Sequence, residues 1–114
     1  FAGSDFFIMP SRFEPCGLAQ QYAMRYGSLP ICRRTGGLAD TIKPFARGEK
    51  NSNGFLFNDP SAKSLWTATK EALEVFANKR KFTGMRKNAL SKKCDWEQAA
   101  EYYLQTYHWA LDLD

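Results

Sequence analysis

Apolar and polar positions along the chain follow two rhythms. Phe6-Phe7-Ile8-Met9 is an unbroken apolar run between Asp5 and Pro10, the pattern of a strand covered on both faces. Gly17 to Tyr26 reads as a helix stopped by Gly27, and Leu29-Pro30-Ile31-Cys32 as a second strand. Strand, helix and strand within about 30 residues make a βαβ unit, so the two strands should be parallel. Thr35-Gly36-Gly37 is a glycine turn directly after the second strand, Lys43 to Asn53 a polar surface loop, and Gly54-Phe55-Leu56-Phe57 a third strand.

The second half changes period. Asp59 or Ser61 can cap a helix whose Ala62, Leu65, Trp66, Thr69, Ala72, Leu73 and Phe76 fall on one face. Phe82 to Lys92 is a shorter helix, weakened by Gly84. Asp95 can cap a last one, with Trp96, Ala99, Ala100, Tyr103, Leu104, Tyr107 and Leu111 together on one side. Trp66 and Trp96 are expected to fill core stripes. The order predicts an α/β fold: part of an open parallel sheet in residues 1–58, with packing and terminal helices in 59–114. Bare sheet edges make a poor free-standing domain. The chain also opens on Phe1, and Phe1–Ser4 reads like the tail of a helix entering the first strand. It is therefore expected to be a piece of a longer protein.

Composition narrows the function. With 114 residues, 44% hydrophobic and 15% aromatic, the chain is too apolar for a disordered tail and sized for one compact unit. No apolar run approaches the roughly 20 residues of a membrane helix. Cys16, Cys32 and Cys94 have neither disulfide-framework nor zinc spacing, which fits a reducing cytosol or plastid. The net charge of +4 gathers in Lys79–Lys93, which holds seven Lys/Arg and no acid. That tract reads as a solvated helix face, with a non-catalytic polyanion-binding module as the rival. No nucleic acid, membrane or metal is expected as a partner.

In parallel sheets ligands collect at the carboxyl ends of strands, and two loops leave such ends, at 10–17 and 33–38. The first delivers the chain to a helix N-terminus near Gly17, whose free N–H groups suit phosphate. A branched side chain at Gly17 is expected to block a ligand with little effect on folding. Glu14 can reach a neutral polyol hydroxyl beside that phosphate. A carboxylate for hydroxyls with N–H groups for phosphate describes a sugar-nucleotide pocket. Cys16 lacks a basic partner, and His108 sits in the terminal helix, so neither is expected to act as nucleophile or base.

Three stretches carry a resemblance: Ser11-Arg12-Phe13-Glu14-Pro15-Cys16-Gly17-Leu18-Ala19-Gln20, Ala23-Met24-Arg25-Tyr26-Gly27, and Arg33-Arg34-Thr35-Gly36-Gly37-Leu38-Ala39-Asp40-Thr41. With Gly54-Phe55 and Trp96-Glu97-Gln98-Ala99-Ala100, they resemble bacterial glycogen synthases and starch synthases over essentially the whole chain. Those are retaining, ADP-glucose-using glucosyltransferases with two Rossmann-like domains around a cleft (the GT-B architecture), and the chain would lie in the C-terminal one. The resemblance implies a donor-glucose role for Glu14. It implies contacts to glucose hydroxyls and the departing phosphate from the backbone of Cys16, Gly17 and Leu18. Ala19 stands where relatives often have Thr and leaves only its N–H. Tyr22 stands where many relatives hold the ribose with Glu, and Thr35, Gly36 and Gly37 would line the same cleft.

The implied donor is ADP-glucose, the acceptor an α-1,4-glucan (glycogen or starch), the location a bacterial cytoplasm or a plastid, and no cofactor or metal is required. Another sugar-nucleotide transferase of the same architecture is the nearer alternative. The family's cationic residues for the diphosphate lie in segments outside this chain, including the N-terminal domain, so the chain alone is expected to be inactive.

Overall fold

The structure, a computed structural model, describes residues 1–93 and 96–111. Cys94 and the proposed cap Asp95 fall outside them. Three parallel strands, β1 (Phe6–Met9), β2 (Leu29–Arg33) and β3 (Phe55–Phe57), lie side by side in that order, with Ile8 level with Ile31 and Ile31 level with Phe55. β2 is the central strand, and Leu29–Cys32 are buried on both faces. β1 is an edge strand with Ile8 49% exposed, so its continuous apolar run is covered on both faces only in part. Strand apolarity reports what a segment can bury, not whether this chain supplies the cover.

The described residues form five helices, α1 (Ala19–Arg25), α2 (Gly36–Thr41), α3 (Ala62–Ala77), α4 (Lys79–Leu90) and α5 (Trp96–Leu111), of which the first four pack on the sheet. α1 ends as its sequence demands. Gly27 takes φ +77°, its N–H reaches Met24 O, and Ser28 N–H reaches Ala23 O, the paired closure that satisfies the last carbonyls of a helix. One face of the sheet carries Leu29, Ile31, Phe55 and Phe57 against Met24, Ala68, Ala72, Val75, Phe82, Met85 and Ala89. The other carries Cys32 against Leu38 and Ile42, with Met9 and Leu56 alongside. α2, which the glycines had hidden as a turn, provides that second layer.

Ser61 Oγ caps α3 by accepting Ser64 N–H at 3.2 Å. The buried face of α3 is Ala68, Ala72 and Val75, however, while Trp66, Leu73 and Phe76 stay 43–57% exposed. The large apolar residues were a poor guide because close packing on a sheet favours small ones. α4 starts three residues earlier than its pattern suggests, at a cap in which Asn78 Oδ1 accepts Lys81 N–H. Its Phe82, Met85 and Ala89 are buried beneath a basic outer face. Arg86 crosses from that face to the core: it donates to Gly27 O at 2.8 Å, pairs with Asp5 at 3.5 Å and lies over the Phe82 ring. The aromatic side of α5 is uncovered, with Trp96 82% and Tyr107 62% exposed, so Trp96 fills no core within this chain. Among the described residues, no helix is long and apolar enough to cross a membrane.

Candidate functional site

The loop between β1 and α1 is held by its carbonyl oxygens. Arg12 O accepts from the Arg33 guanidinium, which also donates to Asn58 O at 3.2 Å. Glu14 O and Pro15 O share Gly37 N–H, at 3.1 and 3.2 Å. Cys16 O lies 3.5 Å from Gln20 Nε2. Among the described residues no peptide bond is cis, and in a planar trans peptide the N–H points opposite to the preceding C=O. Since the carbonyls of Arg12, Pro15 and Cys16 face inward, the N–H groups of Phe13, Cys16 and Gly17 face the other way. None has an acceptor among the described residues. Two of them, at Cys16 and Gly17, are adjacent, which is the arrangement that binds an anion through backbone alone.

Glu14 sits within the same turn, half-buried, and its carboxylate makes no hydrogen bond or ion pair among the described residues. The loop therefore carries, within four residues at the carboxyl end of a parallel strand, a carboxylate and two N–H groups that have no partner among the described residues. α1 begins at Ala19 with Leu18 as an uncapped N-cap residue, two residues later than the pattern suggests. The anion-type surface is thus built mainly by the turn and less by a helix end. Leu18 and Tyr22, both exposed and joined by a helical bond from Tyr22 N–H to Leu18 O at 3.0 Å, line a groove of about 840 Å³ with Arg25, Lys92, Lys93 and Trp96.

Gly36 and Gly37 stand behind the loop and support it. A Cβ on Gly36 would fall 2.0 Å from Glu14 O, and one on Gly37 1.9 Å from Cys16 O. Glycine is required because α2 begins against the backbone of the 14–16 loop. Gly17, at φ +68°, has Gln20 where its Cβ would be, with Oε1 at 2.5 Å. A side chain there would press into the protein interior, so Gly17→Val would strain the fold as well as the site, against the sequence expectation.

Cys16 is exposed and Cys32 buried, and burial pushes the Cys32 thiol up to about 12, leaving it un-ionised and inert. His108 is exposed on α5. Among the described residues, no cluster of three or more His, Cys, Asp or Glu is placed to hold a metal. A second groove of about 730 Å³ between the 45–50 segment, α3 and α4 contains none of the candidate residues. Glu71 on its wall is raised above the usual carboxylate range, by burial and by Glu74, against the opposing pull of Arg47.

Sequence reasoning missed three residues that shape the loop: Gln20, Arg33 and Thr41. Gln20 left one signal, a polar residue on the same helical face as Ala23 and Met24. The links from Arg33 to Arg12 and from Gln20 to Thr41 each span 21 residues and left none.

Comparison with known proteins agrees with this geometry. A family model described as "Glycosyl transferases group 1" matches residues 1–102. A glycogen synthase of Alkaliphilus metalliredigens is 48% identical over 107 residues, covering 94% of this chain and 22% of the relative. One of Pseudomonas syringae pv. syringae is 50% identical over 107 residues, covering 94% and 21%. Among solved structures, the catalytic domain of starch synthase IV from Arabidopsis thaliana, bound to ADP and acarbose, superposes with a TM-score of 0.78 at 34% identity, over 96% of this chain and 23% of that one. A sucrose-phosphate synthase of Thermosynechococcus elongatus follows at 0.65 and 27%, over 96% and 26%. The chain thus spans about a fifth of the length of the curated relatives it matches.

Proposed function

Because the chain belongs to the group 1 glycosyl transferases, we propose that the protein carrying it is a glycogen or starch synthase that moves glucose from ADP-glucose to the non-reducing end of an α-1,4-glucan with retention. This chain supplies part of the C-terminal, donor-binding domain of a GT-B pair. The observation that carries the reading is the turn at 14–17, which holds the unpaired Glu14 carboxylate and the unpaired N–H groups of Cys16 and Gly17 in one short stretch. The identity to glycogen synthases and the likeness to a starch synthase bound to ADP and acarbose support the choice of donor and acceptor.

Glycosyl transfer breaks the bond between the anomeric carbon and the diphosphate. Positive charge grows on the sugar ring and negative charge on the departing phosphate, and catalysis consists of meeting both with fixed groups. In this proposal the amides of Cys16, Gly17 and Leu18 hold phosphate and sugar oxygens without needing to reorganise. Glu14 accepts from a glucose hydroxyl and places a negative charge near the ring. Ala19 contributes only its N–H, and Tyr22, on the outer face of α1, borders the nucleotide. Thr35, Gly36 and Gly37 hold the loop from behind. Neutralising a full diphosphate without a metal or cofactor takes cationic side chains from the rest of the protein, which places the reaction in the cleft between two domains. A cytoplasmic location belongs to the same proposal.

The test is incorporation of labelled glucose into glycogen by the full-length protein, with ADP-glucose and UDP-glucose run in parallel and the 114-residue chain alongside. ADP-glucose should be the productive donor and the isolated chain inactive. Preference for UDP-glucose would move the assignment to another transferase of the same architecture. Clear activity of the isolated chain would mean that the cationic groups are not supplied from elsewhere.

A further inference from the structure

Gln20 is completely buried, yet it carries two polar ends. Its Nε2 donates to Thr41 Oγ1 at 3.0 Å and faces Cys16 O at 3.5 Å. Thr41 Oγ1 donates to Gly37 O at 2.6 Å, and Gly37 N–H returns to the carbonyls of Glu14 and Pro15. These groups close a circuit that runs from α1 through α2 to the donor loop. The other end of the carboxamide, Oε1, is buried with no hydrogen-bond partner and sits against Gly17, in the space its Cβ would fill. Leucine has nearly the same volume and would remove the unpaired acceptor Oε1 while leaving Cys16 O without its donor, so stability gives little preference for glutamine at this position.

We propose that Gln20 is a positioning residue for the donor site. Its carboxamide keeps the Cys16–Gly17 peptide with the carbonyl inward, so that the Gly17 N–H stays turned toward the donor's phosphate. Glycine at 17 accepts either sign of φ, so a peptide released from Gln20 can turn over. The turned peptide presents a carbonyl oxygen to the phosphate in place of an N–H, which converts an attractive contact into a repulsive one. The inference rests on the donor-site reading above, and Thr41 is its second member, because it fixes the rotamer from which Gln20 reaches the loop.

The test uses the full-length enzyme with Gln20→Leu, Gln20→Glu and Thr41→Val. Gln20→Leu removes the unpaired Oε1 and also the donor to Cys16 O, so it should melt near the wild-type temperature while kcat with ADP-glucose falls on the order of 10- to 100-fold and the KM for glucan stays unchanged. Gln20→Glu retains the acceptor, and once protonated it regains the donor, so its kcat should recover toward acid pH where that of Gln20→Leu does not. Hydrogen exchange at Gly37, whose N–H is shared by Glu14 O and Pro15 O, should quicken in Gln20→Leu, a readout independent of which sugar nucleotide the enzyme takes. Thr41→Val should show a smaller loss in the same direction, and it carries the test if Gln20→Leu fails to fold. A Gln20→Leu enzyme with kcat within twofold of wild type, or with unchanged exchange at Gly37, overturns the proposal. A loss of kcat matched by a fall in melting temperature reduces Gln20 to a structural residue. Altered exchange in an enzyme that does not use ADP-glucose at all would leave the positioning role standing and sink the donor assignment instead.

Discussion

Replacing Gly37 by alanine is the sharpest probe of how the donor loop is held. The new Cβ would lie 1.9 Å from Cys16 O, 2.4 Å from Cys16 C and 2.7 Å from Cys16 Cα. Carbon and carbonyl oxygen approach to about 3.3 Å at closest, so α2 and the loop must separate by roughly 1.4 Å. Gly37 is not at positive φ, and the perturbation is therefore steric, uncomplicated by backbone strain. Overpacking of this kind costs about 1–3 kcal/mol, and stretching the shared bond from Gly37 N–H to Glu14 O and Pro15 O adds about 1 more. For a domain of 150–250 residues, about 3 kcal/mol lowers the melting temperature by roughly 6–12 °C. A shift near 1 Å in a positioned group can cost about 100-fold in rate. The assay is thermal unfolding together with kcat/KM for ADP-glucose in the full-length enzyme. Gly84→Ala serves as the control: its Cβ meets nothing within 4 Å, and it should add about 0.5–1 kcal/mol of helix stability without touching turnover. A Gly37→Ala enzyme with an unchanged melting temperature and kcat/KM within twofold of wild type would refute the claim that α2 supports the loop by contact.

Other outcomes follow from the same structure. Glu14→Ala should fold normally and lose on the order of 10²–10³ in kcat; retention of more than half the wild-type rate removes Glu14 from the site. Arg86→Ala loses a charge-assisted bond to Gly27 O and a half-exposed ion pair with Asp5, and urea unfolding should register about 2 kcal/mol, with Arg86→Lys recovering only part because it cannot keep the Nε–H geometry. Burial raises the Cys32 thiol from 9.0 to about 12, so the folded state holds a proton that the unfolded chain releases from pH 9 upward. Stability should accordingly fall between pH 9 and 12, a decline that Cys32→Ala should lessen. Peptide mapping after thiol alkylation at pH 8 should find Cys16 labelled and Cys32 intact until the protein unfolds.

Much of this architecture was legible without coordinates, because the information was local. Apolar runs bounded by Asp, Pro and Gly marked three strands, the strand–helix–strand spacing made them parallel, and Gly27 stopped α1 by a geometry that only its own carbonyls define. The string from Ser11 to Gln20 pointed to a sugar-nucleotide loop, and the segment that carries Glu14 and Gly17 leaves the carboxyl end of β1. What tertiary structure alone decided depends on a second surface. The face of α3 that is buried was set by how closely a helix can approach the sheet, which favoured Ala68 and Ala72 over Trp66. Ile8 and the aromatic side of α5 stay exposed because burial depends on what covers them, and within this chain nothing does. The glycines of α2 read as a turn because nothing local shows that Glu14 O and Cys16 O lie against them. The outward direction of the Cys16 and Gly17 N–H groups likewise depends on Gly37 and Gln20, which hold the preceding carbonyls. A peptide can face either way in isolation, and only its partners across the fold choose between the two.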